Sequence, residues 1–291
     1  VKVVQTLYSY NEADLLTNNF GWISPQYHLM SWALSCLQLT KYYQQVSLYA
    51  DKISADMLIN VLGLPYHNVH ITDDDFTMPH ESLWALPKIH TYSLQSESFL
   101  HVDGDVFIFQ AFQEHLSRSE LIAQNQEEAT AEYYTATQKQ LLANFTYFPE
   151  CVKRDFEKPI PITMANAGIL GGSSIDFFKE YYAQTLEYIN RNVENLSSIN
   201  TDRFNVFFEQ HLFYCLAKEK GIPISFFFTD VVNDNEYKKL AEFHETPCSK
   251  KYLHLLGHYK RDEYTCERLA EKLRNLYPDY YYKIIELWKA K

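Results

Sequence analysis

The stretch FLHVDGDVFIF, residues 99 to 109, ends an apolar run on two carboxylates, Asp103 and Asp105, with Gly104 between them. Buried carboxylates are costly without a partner, and a glycine between two of them allows a tight turn. Two such groups one residue apart offer hard oxygen ligands to a divalent cation. The same pattern arises in turns that merely cap a strand, so the chemistry depends on what else the chain supplies. The segment HLLGHYK, residues 254 to 260, carries two imidazoles (His254 and His258), Gly257 and Lys260. His254, set among leucines, reads either as a ligand or as a satisfied core histidine; His258 is the competing ligand, and His101 suits packing within its strand. The run ANAGILGG holds Asn166 and Gly168 in a segment without bulky side chains, where backbone could approach a ligand or simply form a tight loop. Glu209 and Gln210 sit in FFEQHLF among residues of core type. Lys88 lies on the helix that feeds the acidic strand. Asp51 follows a strand, where it could meet a ligand or cap a helix.

The elements that must position these residues alternate. Strands are expected at 3–8, 46–50, 68–72 and 99–103, and helices at 24–43, 53–64 and 82–95, the first with Ser24 as N-cap and Pro25 at its first position. Strand and helix alternating at short spacing predict an α/β fold, a mostly parallel central sheet flanked by helices. Ligands in such sheets bind beyond the carboxyl ends of the strands, where Asp103 and Asp105 fall. From 111 to 150 the chain reads as helical and polar, with NQEEATAEYY (125–134) as a solvated helix face or excursion. Helices are expected at about 174–192 and 202–220, strands at 224–228 and near 251, and two C-terminal helices over 261–289, where Tyr280 to Tyr282 suit packing. Without a repeat or a Pro/Gly/Ser-rich linker, one domain is expected over 1–291.

Composition narrows the class. The 291 residues are 46% hydrophobic and 16% aromatic, enough for a large core. A net charge of −11 argues against nucleic acid as a partner, and an anionic substrate would need a local cation or metal. Five scattered cysteines without a CxxC pair suit free thiols in a reducing compartment. No apolar stretch has the length of a membrane span, and the N-terminal residues read as a strand instead of a signal peptide, so a cytoplasmic location is expected.

In the order of these motifs the chain resembles the metal-dependent nucleotide-sugar glycosyltransferases of the GT-A fold, and most closely the retaining group of glycogenin and the lipopolysaccharide galactosyltransferases. Asp103 and Asp105 match that family's aspartate pair, and His254, Gly257 and Lys260 match its H-F-x-G-x-x-K segment. Asn166 to Gly168 match its N-[SA]-G sugar segment, and Glu209 and Gln210 its D-Q dipeptide. The resemblance implies a Mn²⁺ (or Mg²⁺) on Asp103, Asp105 and His254, catalytic roles for Glu209, Gln210 and Lys260, and donor contacts from Thr6, Tyr8, Asp51, Lys88, Asp103, Gly104, Asn166, Gly168, Gly257 and Lys260. The resemblance further implies a nucleotide-binding half to about 110, a sugar and acceptor half over about 111–291, a nucleotide-sugar donor expected to be a UDP-sugar, and an unspecified acceptor. Glutamate stands where the family has aspartate, and KRDEY lacks the tryptophan usual after the lysine. Two rivals remain: a sugar-nucleotide nucleotidyltransferase, which would carry a glycine-rich basic segment where TLYSYNEADLLTNNFGW stands, and a non-catalytic binding protein on the same fold.

Overall fold

The computed structural model describes residues 1–9, 15–72, 76–114, 116–129, 132–158, 161–233 and 237–290. In chain order its elements are β1 (Lys2–Leu7), α1 (Pro25–Tyr42), β2 (Val46–Ala50), α2 (Lys52–Ala55, continued by a π turn Asp56–Val61), β3 (Asn68–Ile71), α3 (Leu86–Ser93), β4 (Phe99–Val102) and β5 (Val106–Ile108). Then come β6 (Leu121–Ala129), α4 (Glu132–Asn144), α5 (Glu150–Phe156), β7 (Ile162–Ala165), β8 (Ile169–Gly172), α6 (Ile175–Asn190) and α7 (Thr201–Val206). A π turn (Phe207–His211) leads into α8 (Leu212–Lys220), followed by β9 (Ile224–Asn233), β10 (Tyr252–His254), a 3₁₀ turn (Gly257–Arg261), α9 (Glu263–Leu276) and α10 (Pro278–Lys289). This is the α/β fold expected, with sheet strands flanked by helices and two helices at the C-terminal end.

The chain forms two compact units, one of Val1–Asp75, Val102–Phe112 and Tyr237–Lys291, the other of Phe76–His101 and Gln113–Glu236. In the first unit β1, β2 and β3 run parallel, with Val3 opposite Val46 and Ser47 opposite Asn68. The connecting helices start where the sequence says they should. Pro25 opens α1, although the Ser24 hydroxyl at its cap turns to Gln26 instead of the backbone. Asp51 caps α2 by accepting from the Ser54 N–H at 2.8 Å. The core of this unit gathers α1 residues such as Leu29 and Leu34 with Leu253 and Leu255 and with Leu269 and Leu273 of α9, all fully buried. Tyr280 packs against the same cluster and donates to the Gly63 carbonyl at 3.0 Å.

The second unit is built around β6. One edge of this strand is shared in succession by β8 (Ile122 opposite Gly171) and β7 (Gln126 opposite Ala165), both antiparallel; the other edge pairs in parallel with β9. Here the sequence reading fails. Residues 125–129 of NQEEATAEYY lie in a strand with neighbours on both edges, and only from Glu132 does the chain become helical. The polar side chains misled because they pair locally: Gln124 Nε2 donates to Asn125 Oδ1 at 3.0 Å, and buried Glu127 accepts from Tyr134 at 2.9 Å. Paired polar groups tolerate burial. The aromatic excess of the sequence is spent on this unit's helices, where Tyr188 meets Phe204 edge-on at 5.1 Å and Phe177 meets Phe213 at 5.5 Å.

Candidate active site

Strand β4 ends at Val102, so Asp103 is the first residue beyond it. The chain then turns at once, with the Val106 N–H donating to the Asp103 carbonyl at 3.1 Å, and enters β5. Antiparallel pairing of β10 on β5 sets Tyr252 opposite Ile108 and His254 opposite Val106, and the Leu255 N–H donates to the Asp105 carbonyl at 3.0 Å. This register brings a histidine from the far end of the sequence beside the two acids. Donor atoms of Asp103, Asp105 and His254 all lie within 4.8 Å of one another. Asp105 and His254 are buried, with His254 Nε2 3.4 Å from Asp105 Oδ1.

Lys260 comes to the same place from the 3₁₀ turn, its Nζ 2.5 Å from Asp105 Oδ2. That turn starts at Gly257, whose φ of +49° lies in the left-handed region that glycine adopts without strain. It is tied down by the Ile23 N–H, which donates to the Lys260 carbonyl at 2.9 Å, and the ammonium lies 5.9 Å from the Trp22 ring centre. Burial raises the pKa of Asp105, but the charges of Lys260 and His254 and their hydrogen bonds outweigh it and hold the carboxyl well below the usual carboxylate range. The carboxylate is therefore ionised whenever a cation could compete for it. Because the folded-state pKa is depressed, the stability this pair contributes is complete above the unfolded value near 4 and fades as pH falls below it. Asp105→Asn is expected to flatten the decline of melting temperature below about pH 4, which a scan across pH 2 to 6 measures.

Gly104 has a reason beyond the turn. A Cβ at this position would lie 2.5 Å from Cε2 of Trp32, a buried ring whose Nε1 donates to His28 Nε2 at 2.9 Å. The Gly104 carbonyl accepts from Ser31 Oγ at 2.7 Å, and Gln5 Nε2 donates to the Val102 carbonyl at 3.2 Å. α1 and β1 thus clamp the acid-bearing turn from below. Gly104→Ala is expected to lower the melting temperature by several degrees and to weaken cation binding together with it, because either the ring or the turn must move. A melting scan with and without Mn²⁺ checks both effects.

Sequence reading missed this support. His28 is buried, stacked on Phe20 with ring centres 4.3 Å apart, and its pKa is pulled down to about 3 by burial and then by Lys260, with Asp105 opposing. The spacing of His28 and Trp32, one helical turn apart on α1, was the available signal, but both read as one more part of an apolar helix.

The other expected residues are distributed as follows. His258 is exposed, packs on Tyr259 at 4.0 Å between ring centres, and is not among the converging donors. Thr6 lies near the end of β1 and Tyr8 just beyond it, both half-buried. Asp51 is engaged as a helix cap: one carboxylate oxygen accepts from Ser54 and the other from the N–H and hydroxyl of Ser9. Asn166 shapes the loop between β7 and β8, its Oδ1 accepting from the Gly168 N–H at 3.1 Å. In the same unit Lys88 of α3 pairs with buried Glu209 at 2.5 Å. Glu209 and half-buried Gln210 lie on the π turn before α8, held by the Tyr181 hydroxyl, which donates to the Glu209 carbonyl at 2.5 Å. π turns inside helices are often found at functional sites. His101 is buried and T-shaped against Tyr92, a packing role, and burial and then Lys88 keep its pKa low.

The α/β fold is shared with a solved glycosyltransferase structure. It matches a structure described as the WbbM bifunctional glycosyltransferase, with a TM-score of 0.51 and 13% identity over 98% of this chain. The match spans about half of that protein's length (51%). A structure of the galactosyltransferase LgtC with donor and acceptor sugar analogues aligns over 95% of this chain and 96% of its own, at 13% identity and a TM-score of 0.47. The chain itself belongs to DUF6734, a family of unknown function, whose pattern matches residues 1–287. No curated protein matches it in sequence. No helix among the described residues is long and apolar enough to cross a membrane.

Proposed function

We propose that the chain transfers a sugar from a nucleotide-sugar donor of the UDP class to an acceptor, with a divalent cation held by Asp103, Asp105 and His254. The observation that carries this reading is the convergence of two carboxylates and one imidazole on a single point, with Lys260 on the edge of the cluster. Such a donor set fits Mn²⁺ or Mg²⁺ with positions left for phosphate oxygens, and the imidazole favours Mn²⁺. A cation bound there would act as a Lewis acid on the diphosphate leaving group.

The chain's own residues supply the rest. Lys260, paired to Asp105 without a cation, offers a fixed positive charge to a leaving phosphate as its negative charge grows. In a chain of net charge −11, that local positive charge is what an anionic donor requires. Glu209, set against Lys88, is assigned to the chemical step and Asn166 to the sugar, both on the strength of the resemblance. That resemblance also implies retention of anomeric configuration.

Thermal shift separates this reading from a nucleotidyltransferase. UDP with Mn²⁺ is expected to raise the melting temperature by several degrees at a hundredfold excess over Kd, about 2.7 kcal/mol of linkage, and ATP or CTP with Mg²⁺ by much less. The reverse order would favour the nucleotidyltransferase, and no shift with any nucleotide would remove both. His254→Ala is expected to weaken Mn²⁺ binding at least about 10–100-fold, the loss typical of disturbing a metal's supporting groups or more. His258→Ala should change it far less, as titration calorimetry with the metal alone would report.

A further inference from the structure

The second unit holds another convergence of metal-binding side chains, unrelated to the acid pair. Helix α5 carries Cys151 and Asp155 one turn apart, and the π turn and α8 carry His211 and Cys215 at the same spacing. Residues four apart share a helix face, and α5 packs on α8. His211 Nε2 lies 2.9 Å from Asp155 Oδ2 and 3.2 Å from Cys215 Sγ, and the three donor atoms lie within 4.8 Å of one another. Cys151, His211 and Cys215 are buried, and the Asp155 side chain is 14% exposed.

Hydrogen bonding alone serves this cluster poorly. A single ring nitrogen faces both a carboxylate and a sulfur, and one proton on it can be directed well at only one of them. One cation would satisfy all three donors at once. With zinc–sulfur and zinc–nitrogen bonds of about 2.3 and 2.0 Å, tetrahedral ligands stand roughly 3.3 to 3.6 Å apart, so the two distances from His211 need to open by only a few tenths of an ångström. The ring is already oriented, stacked on Phe156 with centres 5.2 Å apart and planes within 8°. Lys158 donates to the other Asp155 oxygen at 2.7 Å, the kind of outer contact that orients a ligating carboxylate.

We propose that Asp155, His211 and Cys215 form a structural zinc site that pins α5 to α8, with the Cys151 thiol, one turn before Asp155 on α5, as the candidate fourth ligand. Sulfur and imidazole together select a borderline-soft metal, which sets this site apart from the oxygen-rich cluster of Asp103, Asp105 and His254. A thiol ligates zinc as the thiolate, so zinc binding here releases protons and its affinity should rise with pH.

The test is metal content together with cobalt substitution in the untagged full chain. About one zinc per chain is expected after purification without added metal. After chelator treatment, Co²⁺ should give a near-ultraviolet thiolate-to-cobalt charge-transfer band that zinc abolishes. That band should weaken in Cys215→Ser and in Cys151→Ser, vanish in the double variant, and persist in Cys248→Ser, which removes the exposed thiol. It should also persist in Asp105→Asn, whose site contains no sulfur. His211→Ala should lower zinc affinity at least about tenfold. Wild-type protein that takes up neither zinc nor cobalt with a thiolate band would overturn the proposal. So would a band of unchanged intensity in Cys215→Ser or one lost with Cys248.

Discussion

Asp105→Asn is expected to abolish sugar transfer and to weaken Mn²⁺ binding by orders of magnitude while the protein stays folded. The substitution keeps the shape of the side chain and removes a charge that faces His254 at 3.4 Å and Lys260 at 2.5 Å. It takes one hard ligand from a set of three, and the residual amide oxygen is a weak one. A Lys260 ammonium left without its carboxylate is only partly buried and can turn to solvent, so the cost in stability should be far smaller than the cost in binding. Circular dichroism at ambient temperature and calorimetry with Mn²⁺ separate the two. Loss of the fold together with binding would mean that Asp105 is mainly a structural partner of Lys260. Unchanged Mn²⁺ affinity would mean that the cation does not use the turn after β4.

The second large effect concerns Lys88 and Glu209, a pair with side chains 11% and 1% exposed. Removing one member of a buried ion pair strands the other and typically costs about 3–5 kcal/mol. Lys88→Met is therefore expected to lower the melting temperature by many degrees, and the double change Lys88→Met, Glu209→Gln to recover much of it. If Glu209 also acts in the chemical step, Glu209→Gln should depress kcat strongly with UDP affinity nearly unchanged, since only the transition state loses the interaction. The double variant keeps these roles apart: recovered stability with kcat still depressed supports a catalytic glutamate, whereas recovery of both assigns the pair to the scaffold alone.

Much of this was legible from residue order because the elements that position the acids follow simple rules. The alternation of β1, α1, β2, α2 and β3 is written in hydrophobic period and caps, and the strand that ends at Val102 delivers Asp103 and Asp105 wherever the sheet ends. The pairing of β10 with β5 was not legible in that way. Three-residue strands carry almost no periodic signal, and their register depends on the packing of Leu253 and Leu255 in a distant core. β6 was misread because its buried polar groups are paired, Gln124 with Asn125 and Glu127 with Tyr134, which no count of polar residues detects. The second histidine cluster was missed for a related reason: Cys151 with Asp155 and His211 with Cys215 are unremarkable pairs until two helices bring them face to face.

The most direct test of the central claim is a crystal structure with Mn²⁺ and UDP, with the metal located by its anomalous scattering. The expected result is one strong peak within bonding distance of His254 and at least one of Asp103 and Asp105, on the diphosphate side of the nucleotide. A peak coordinated by His258 in place of His254 would correct the ligand set and leave the transferase reading in force. A metal that touches neither aspartate would contradict the account.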